Sequence, residues 1–107
     1  MKTAQLTGPA LDWAVDKSMN LNTPYNSWGQ IGKVPAYSTD WAQGGPIIER
    51  ERIETCPVGD EWRGMYAYMP DYRLYGPTLL IAAMRCVVTV NLGDEVKLPQ
   101  HFLEATV

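Results

Sequence analysis

Arg85 is the only charged residue between Pro77 and Leu92, a stretch made mostly of Leu, Ile, Ala, Met, Cys and Val. A guanidinium in such surroundings needs a partner. It can form a structural ion pair with Asp40, Glu49 or Asp71. Alternatively, its planar fork can hold the carboxylate or phosphate of a ligand. Thr78, Ala82, Arg85 and Thr89 follow at spacings of 4, 3 and 4, so on a helix they share one narrow face. A helix starting near Gly76-Pro77-Thr78 would add the anion preference of its N-terminus.

The second concentration of polar chemistry is YSTDWAQGGPIIERERI, residues 37–53. Tyr37 and Trp41 offer rings for stacking a planar group. Ser38, Thr39 and Gln43 offer hydrogen bonds, and Asp40 or Glu49 would accept from hydroxyls. Backbone N–H groups around Gly44-Gly45 would join Arg85 in holding an anion. Read without a ligand, the same glycines are a turn that needs positive φ. They lead to Pro46 and an expected strand, so they lack the strand–loop–helix setting of a phosphate-binding loop.

Catalytic constellations are scarce. The chain has one histidine, His101, so any Ser-His-Asp or Cys-His set must use that residue. Cys56, Cys86 and His101 are spaced 30 and 15 apart and fit no zinc pattern, so neither metal nor cofactor is expected. Glu49 and Glu51 read more simply as part of a charge ladder with Arg50 and Arg52 than as an acid–base pair. The net charge of −3 argues against sequence-independent nucleic-acid binding, which runs on Lys and Arg. Ten of the eleven aromatics are Trp or Tyr, the composition of a recognition surface or of a small core.

The elements that must position these residues follow from pattern. The 107 residues suit one domain, 1–107. A first helix is expected over 8–18, with Thr7 as N-cap, Pro9 in the first turn and a Leu6–Leu11 hydrophobic staple. Residues 20–35 read as loop. Residues 46–53 alternate as a charged edge strand, and 61–69 as a second strand, with CPVGD as the turn between them. Residues 77–92 form a helix apolar on all sides and therefore central, with Pro77 in its first turn and Gly93 ending it. In the tail, Val96, Leu98 and Phe102 are candidates to pack. The start MKTAQLTGPA lacks the apolar segment of a secretory leader. No run is long enough to span a bilayer. The expectation is a soluble cytoplasmic protein with two free thiols.

The blocks LTGPALDWAVDK, YSTDWAQGGPIIERERI and GPTLLIAAMRCVVTVNLGDEVKLP resemble the NinX-like family of small tailed-phage and prophage proteins. S-T-D-W-x-Q-G-G-P-I-I-E and A-A-M-R-C-x-V are long, specific patterns. Leu79 departs from the family's tendency to Thr-Pro-Leu after Gly-Pro, standing where the second proline would fall. The resemblance implies a phage protein made in the bacterial cytoplasm. It brings no catalytic residues, and its gene neighbourhood of recombination and nuclease genes is associational only.

The expected architecture is α+β: a central apolar helix packed with an N-terminal helix against a short, mostly antiparallel sheet. The expected function is non-enzymatic binding of a small anionic, nucleotide-like molecule, such as a host defence signal. The expected site comprises Tyr37, Ser38, Thr39, Asp40, Trp41, Gln43, Gly44, Gly45, Glu49, Thr78 and Arg85. The alternatives are a module that binds a host or phage protein and an accessory role in DNA recombination. A symmetric homodimer through an aromatic face is compatible with either.

Overall fold

A computed structural model describes residues 1–19 and 34–99. After a short 3-10 turn, Thr3–Gln5, come helix α1 (Gly8–Ser18), helix α2 (Trp41–Glu51), strands β1 (Ile53–Val58), β2 (Glu61–Tyr66) and β3 (Met69–Gly76), and helix α3 (Leu79–Leu92). The protein is α+β, as its sequence pattern implies. The strands form an antiparallel meander in the order β1-β2-β3. Helix α3 lies across all three strands, α1 packs on α3, and α2 touches α3 and β1. Much of the loop expected at 20–35, with Tyr25 and Trp28, lies outside the described residues, as do His101 and Phe102.

Helix α1 has the expected bounds. Leu6 and Leu11 are both fully buried in one core cluster, as a staple requires. Thr7 occupies the N-cap position, but its side chain makes no capping bond. Helix α3 is capped instead by Thr78, whose Oγ1 accepts from the Ile81 N–H at 3.1 Å. Pro77 therefore precedes the cap rather than sitting in the first turn. From Leu80 to Val88, every residue but Ile81 is buried, the consequence of a helix with no polar side.

The expected strand at 46–53 is a correction. Those residues are helical up to Glu51, and the strand begins at Ile53. Asp40 starts α2 by accepting from the Ala42 N–H at 3.0 Å. Gly44 and Ile47 are buried and Ile48 half-buried, an i, i+3, i+4 stripe facing the core. The alternating Glu and Arg residues fit a solvated helix face equally well, and Pro46 obscured the helix. Arg52 ends it in the left-handed region at φ 54°. The hairpin exists with other arms: Cys56, Pro57 and Val58 belong to β1, and the turn is Gly59-Asp60, with Gly59 at φ 60°. Strand β2 stops at Tyr66, and the sequence reading had no β3.

Gly44-Gly45 is not a positive-φ turn, because both residues are helical. Gly44 is where α2 crosses its neighbours. A Cβ there would collide with the Tyr37 carbonyl oxygen and stand 2.8 Å from Leu80 Cδ2. At Gly45 the nearest atom would be Trp41 Cε3, at an ordinary 3.5 Å. Alanine normally stabilises a helix interior over glycine by about 1 kcal/mol. Gly45→Ala should gain less than that, because a Cβ on the helical residue before Pro46 crowds the proline Cδ. Gly44→Ala should reverse it, costing about 1–3 kcal/mol through overpacking against a backbone oxygen that cannot move aside. Denaturant unfolding of the two variants measures the contrast.

Candidate functional site

The segment leading into α2 is held by two acids of α1. Asp12 and Asp16, one turn apart, are both buried. Asp12 Oδ1 accepts from the Ser38 N–H at 2.8 Å, and Asp16 Oδ1 accepts from the Tyr37 hydroxyl at 3.0 Å. Burial pushes the Asp12 carboxyl above its ordinary range, while the adjacent Ser38 groups hold it down. The Ser38 Oγ is itself buried and makes no hydrogen bond of good geometry. Neither acid is among the expected site residues. Their i, i+4 spacing was the available signal.

That anchoring sets Ser38, Thr39 and Trp41 along one wall of a cleft of about 550 Å³. The other wall is Trp62 of β2 and the start of α3, from Pro77 and Thr78 to Ile81. Trp41 is 58% exposed, and Trp62 is half-buried. The first N–H groups of α3, those of Leu79 and Leu80, have no intrahelical acceptor by position. Among the described residues, those that line the cleft include no charged side chain. It can therefore stack or sandwich a planar group and offer backbone N–H donors to a small anion. Trp62 was missing from the expected site because nothing local ties β2 to residues 37–41.

Of the expected site residues, the structure brings together Ser38, Thr39, Trp41 and Thr78. Tyr37 is buried in the core, with its hydroxyl bound to Asp16. The Asp40 carboxylate caps α2. Gln43 is exposed, and Gly44 serves helix packing, while Gly45 lies beside the Trp41 ring. Glu49 lines a separate depression with Pro46, Arg50 and Arg52.

Arg85 pairs with none of Asp40, Glu49 and Asp71, and it does not line the cleft. Its Nε donates to the Leu6 carbonyl at 2.9 Å and its Nη1 to the Tyr75 carbonyl at 2.7 Å. Desolvation lowers its pKa, and the Glu61 charge opposes that shift. The guanidinium thus ties the N-terminal segment to β3. The shared face from Thr78 to Thr89 runs from the cleft to the strand side of α3, where a Cβ on Gly64 or Gly76 would meet the Ala82 backbone. Both cysteines are free. The Cys86 thiol donates to the Tyr72 carbonyl at 3.1 Å, and burial pushes its pKa up to about 11. Among the described residues, no group of three His, Cys, Asp or Glu could hold a metal ion, and no helix is long and apolar enough to cross a membrane.

The fold and site define a small α+β protein with one helix N-terminus opening into an aromatic-walled cleft. A family model described as Bacteriophage P22, NinX matches residues 2–91, and the chain belongs to that phage family. No curated protein matches the chain.

Two outcomes follow from this geometry. Arg85→Leu leaves two carbonyls without their charged donor and should lower unfolding free energy by roughly 2–4 kcal/mol, read by denaturant titration. The Cys86 thiol has a folded pKa raised from 9.0 to about 11. Its contribution is fully present below pH 9 and disappears as pH rises towards about 11. Burial and the Glu51 carboxylate raise the Tyr66 phenol as well, adding to the loss on the alkaline side. Unfolding curves should therefore show stability falling through this window. Cys86→Ala should make that fall shallower.

Proposed function

We propose that this protein is a non-enzymatic binding protein, and that its cleft takes a planar, anionic, nucleotide-like molecule. The observation that carries the reading is the pairing of Trp41 and Trp62 with the N-terminus of α3 in one cleft. The rings supply stacking surface. The Leu79 and Leu80 N–H groups and the helix dipole supply the anion contact. Ser38, Thr39 and Thr78 supply polar contacts along the rim.

Among the described residues the lining holds no lysine or arginine, which bears on the ligand's charge. A helix N-terminus carries only about half an elementary charge. That suits a single diester or carboxylate better than a triphosphate, whose several charges call for basic side chains or a metal. The Asp40 carboxylate at the head of α2 weighs in the same direction. Among the described residues the lining holds no histidine, cysteine or carboxylate, the groups usual in acid–base or nucleophilic catalysis. In a phage protein, sequestering a host signalling nucleotide is the concrete form of this activity.

Isothermal titration against cyclic mononucleotides, cyclic dinucleotides and ADP-ribose tests the reading. At least one should give saturable heat. Trp41→Ala should weaken that binding by roughly 10- to 100-fold, the range of one lost stacking contact. Glu49→Ala, away from the cleft, should leave it unchanged. A folded sample that gives no heat with any of these compounds overturns the proposal.

A further inference from the structure

Among the described residues, only one face of the sheet is covered, by α3. Gly64 and Gly76 face α3, since a Cβ at either would press into the helix. Strand alternation then turns the odd-numbered residues of β2, and their register partners, to the other side. On that side the pairing gives two complete rows. One reads Glu54, Met65, Arg73 from β1 to β3, and the next reads Cys56, Arg63, Tyr75. Val58 and Glu61 follow at the hairpin end.

Among the described residues no charge on this face forms an ion pair, although the Glu61 charge acts on Arg85. Among the described residues the one ion pair is Arg50 with Glu51, on α2. Glu54, Glu61 and Arg63 make no side-chain bond there, and Arg73 binds only the Pro70 carbonyl, at 3.0 Å. The Arg63 Nε is buried without a hydrogen-bond partner, an uncommon and costly state. Apolar surface lies among these charges: Val58 and Tyr75 are 43% and 44% exposed. The acid stands on β1 and the base on β3 of the same row, which makes the face complementary to itself.

We propose that this sheet face binds a second copy of the chain in a two-fold dimer. An axis in the interface plane and parallel to the strands lays β1 of one protomer over β3 of its partner. Glu54 of each copy then stands opposite Arg73 of the other, in the same row. Met65 lies at the dyad, and Cys56 packs on Tyr75. On β2, which runs along the axis, each Arg63 stands opposite Arg63 of the second copy and each Glu61 opposite its Glu61, and the diagonal Arg63–Glu61 pairs, two residues apart, offset those like charges and give the buried Arg63 Nε an acceptor. The face is about 15 by 20 Å, from strand spacings near 4.8 Å and a rise near 3.3 Å. That is smaller than a standard interface of about 800 Å² per partner. The dimer is therefore reversible, concentration-dependent and weakened by salt.

Sedimentation velocity from low-micromolar to millimolar protein tests this. The native chain should shift from monomer to dimer, and added salt should reverse the shift. Glu54→Arg and Arg73→Glu, each alone, juxtapose like charges twice and should weaken the dimer by roughly 100-fold or more. An equimolar mixture of the two variants restores both opposite-charge contacts and should form a heterodimer near native affinity. Circular dichroism confirms that each variant is folded. A native chain that stays monomeric throughout, variants that dimerise like the native chain, or a mixture that fails to recover would each overturn the proposal.

Discussion

The central physical constraint is that α3 must be hidden on every side while remaining close enough to the sheet to leave no void. From Leu80 to Val88 it presents apolar surface in nearly all directions. Each fully buried Val, Leu or Met is worth roughly 1.5–3 kcal/mol, so the helix supplies the main driving force for folding. The sheet can take it only at glycine. A Cβ at Gly64 would stand 2.8 Å from the Ala82 carbonyl oxygen, and one at Gly76 would stand 3.0 Å from the Ala82 nitrogen. The small residue at position 82 completes the close crossing. Gly44 repeats the device on the other flank, where α2 meets Tyr37 and Leu80.

A charged group on such a helix would defeat the design unless backbone groups met it. Arg85 is placed where the N-terminal segment and β3 each present a carbonyl that sheet and helix ladders leave over. The guanidinium satisfies both and joins chain segments far apart in sequence. The opening segment is also fixed beside the end of α3, with the Thr3 hydroxyl bound to the Gly93 carbonyl at 2.8 Å and the Val96 N–H bound to the Met1 carbonyl at 2.9 Å. Arg85 works as a clamp within the fold, and the demand for an anion that its apolar surroundings suggested is met by two carbonyl dipoles.

How far the sequence revealed this depends on whether the decisive partner was local. Helix α1 was legible to the residue because a staple, an early proline and a 3.6-residue stripe agree. Helix α3 was legible because the length of the apolar run and its two alanines favour a helix over the buried strand that Val87-Val88-Thr89-Val90 would also suit. The IIERER stretch misled because its alternating charges fit a strand face and a solvated helix face alike, and the deciding contact, Gly44 on Tyr37 and Leu80, spans tertiary structure. Strand β3 escaped because Pro70 and Asp71 are turn residues by composition, and the strand is a largely exposed edge with an irregular register near Tyr66. Of the residues expected together, Ser38, Thr39, Trp41 and Thr78 lie along one cleft. Glu49 lies elsewhere because 41–51 is a helix and not a strand, and Arg85 because two backbone carbonyls distant in sequence meet its guanidinium.

The position of the cleft then follows from the packing. A helix wrapped by α1, α2 and the sheet must still begin and end somewhere, and its first N–H groups cannot be buried without acceptors. Thr78 provides an acceptor for Ile81, while the N–H groups of Leu79 and Leu80 have no acceptor within the helix. They emerge between the head of α2 and the start of β2, where Trp41 and Trp62 stand. Both rings are there for structural reasons: Trp41 is the first residue of a helix started by Asp40, and Trp62 is opposite Gly76 in the sheet. Covering the cleft with a larger Gly76 side chain is barred by the same close approach that seats α3. The packing that stabilises the core therefore leaves an aromatic-walled opening at one end of it, with N–H donors at its base.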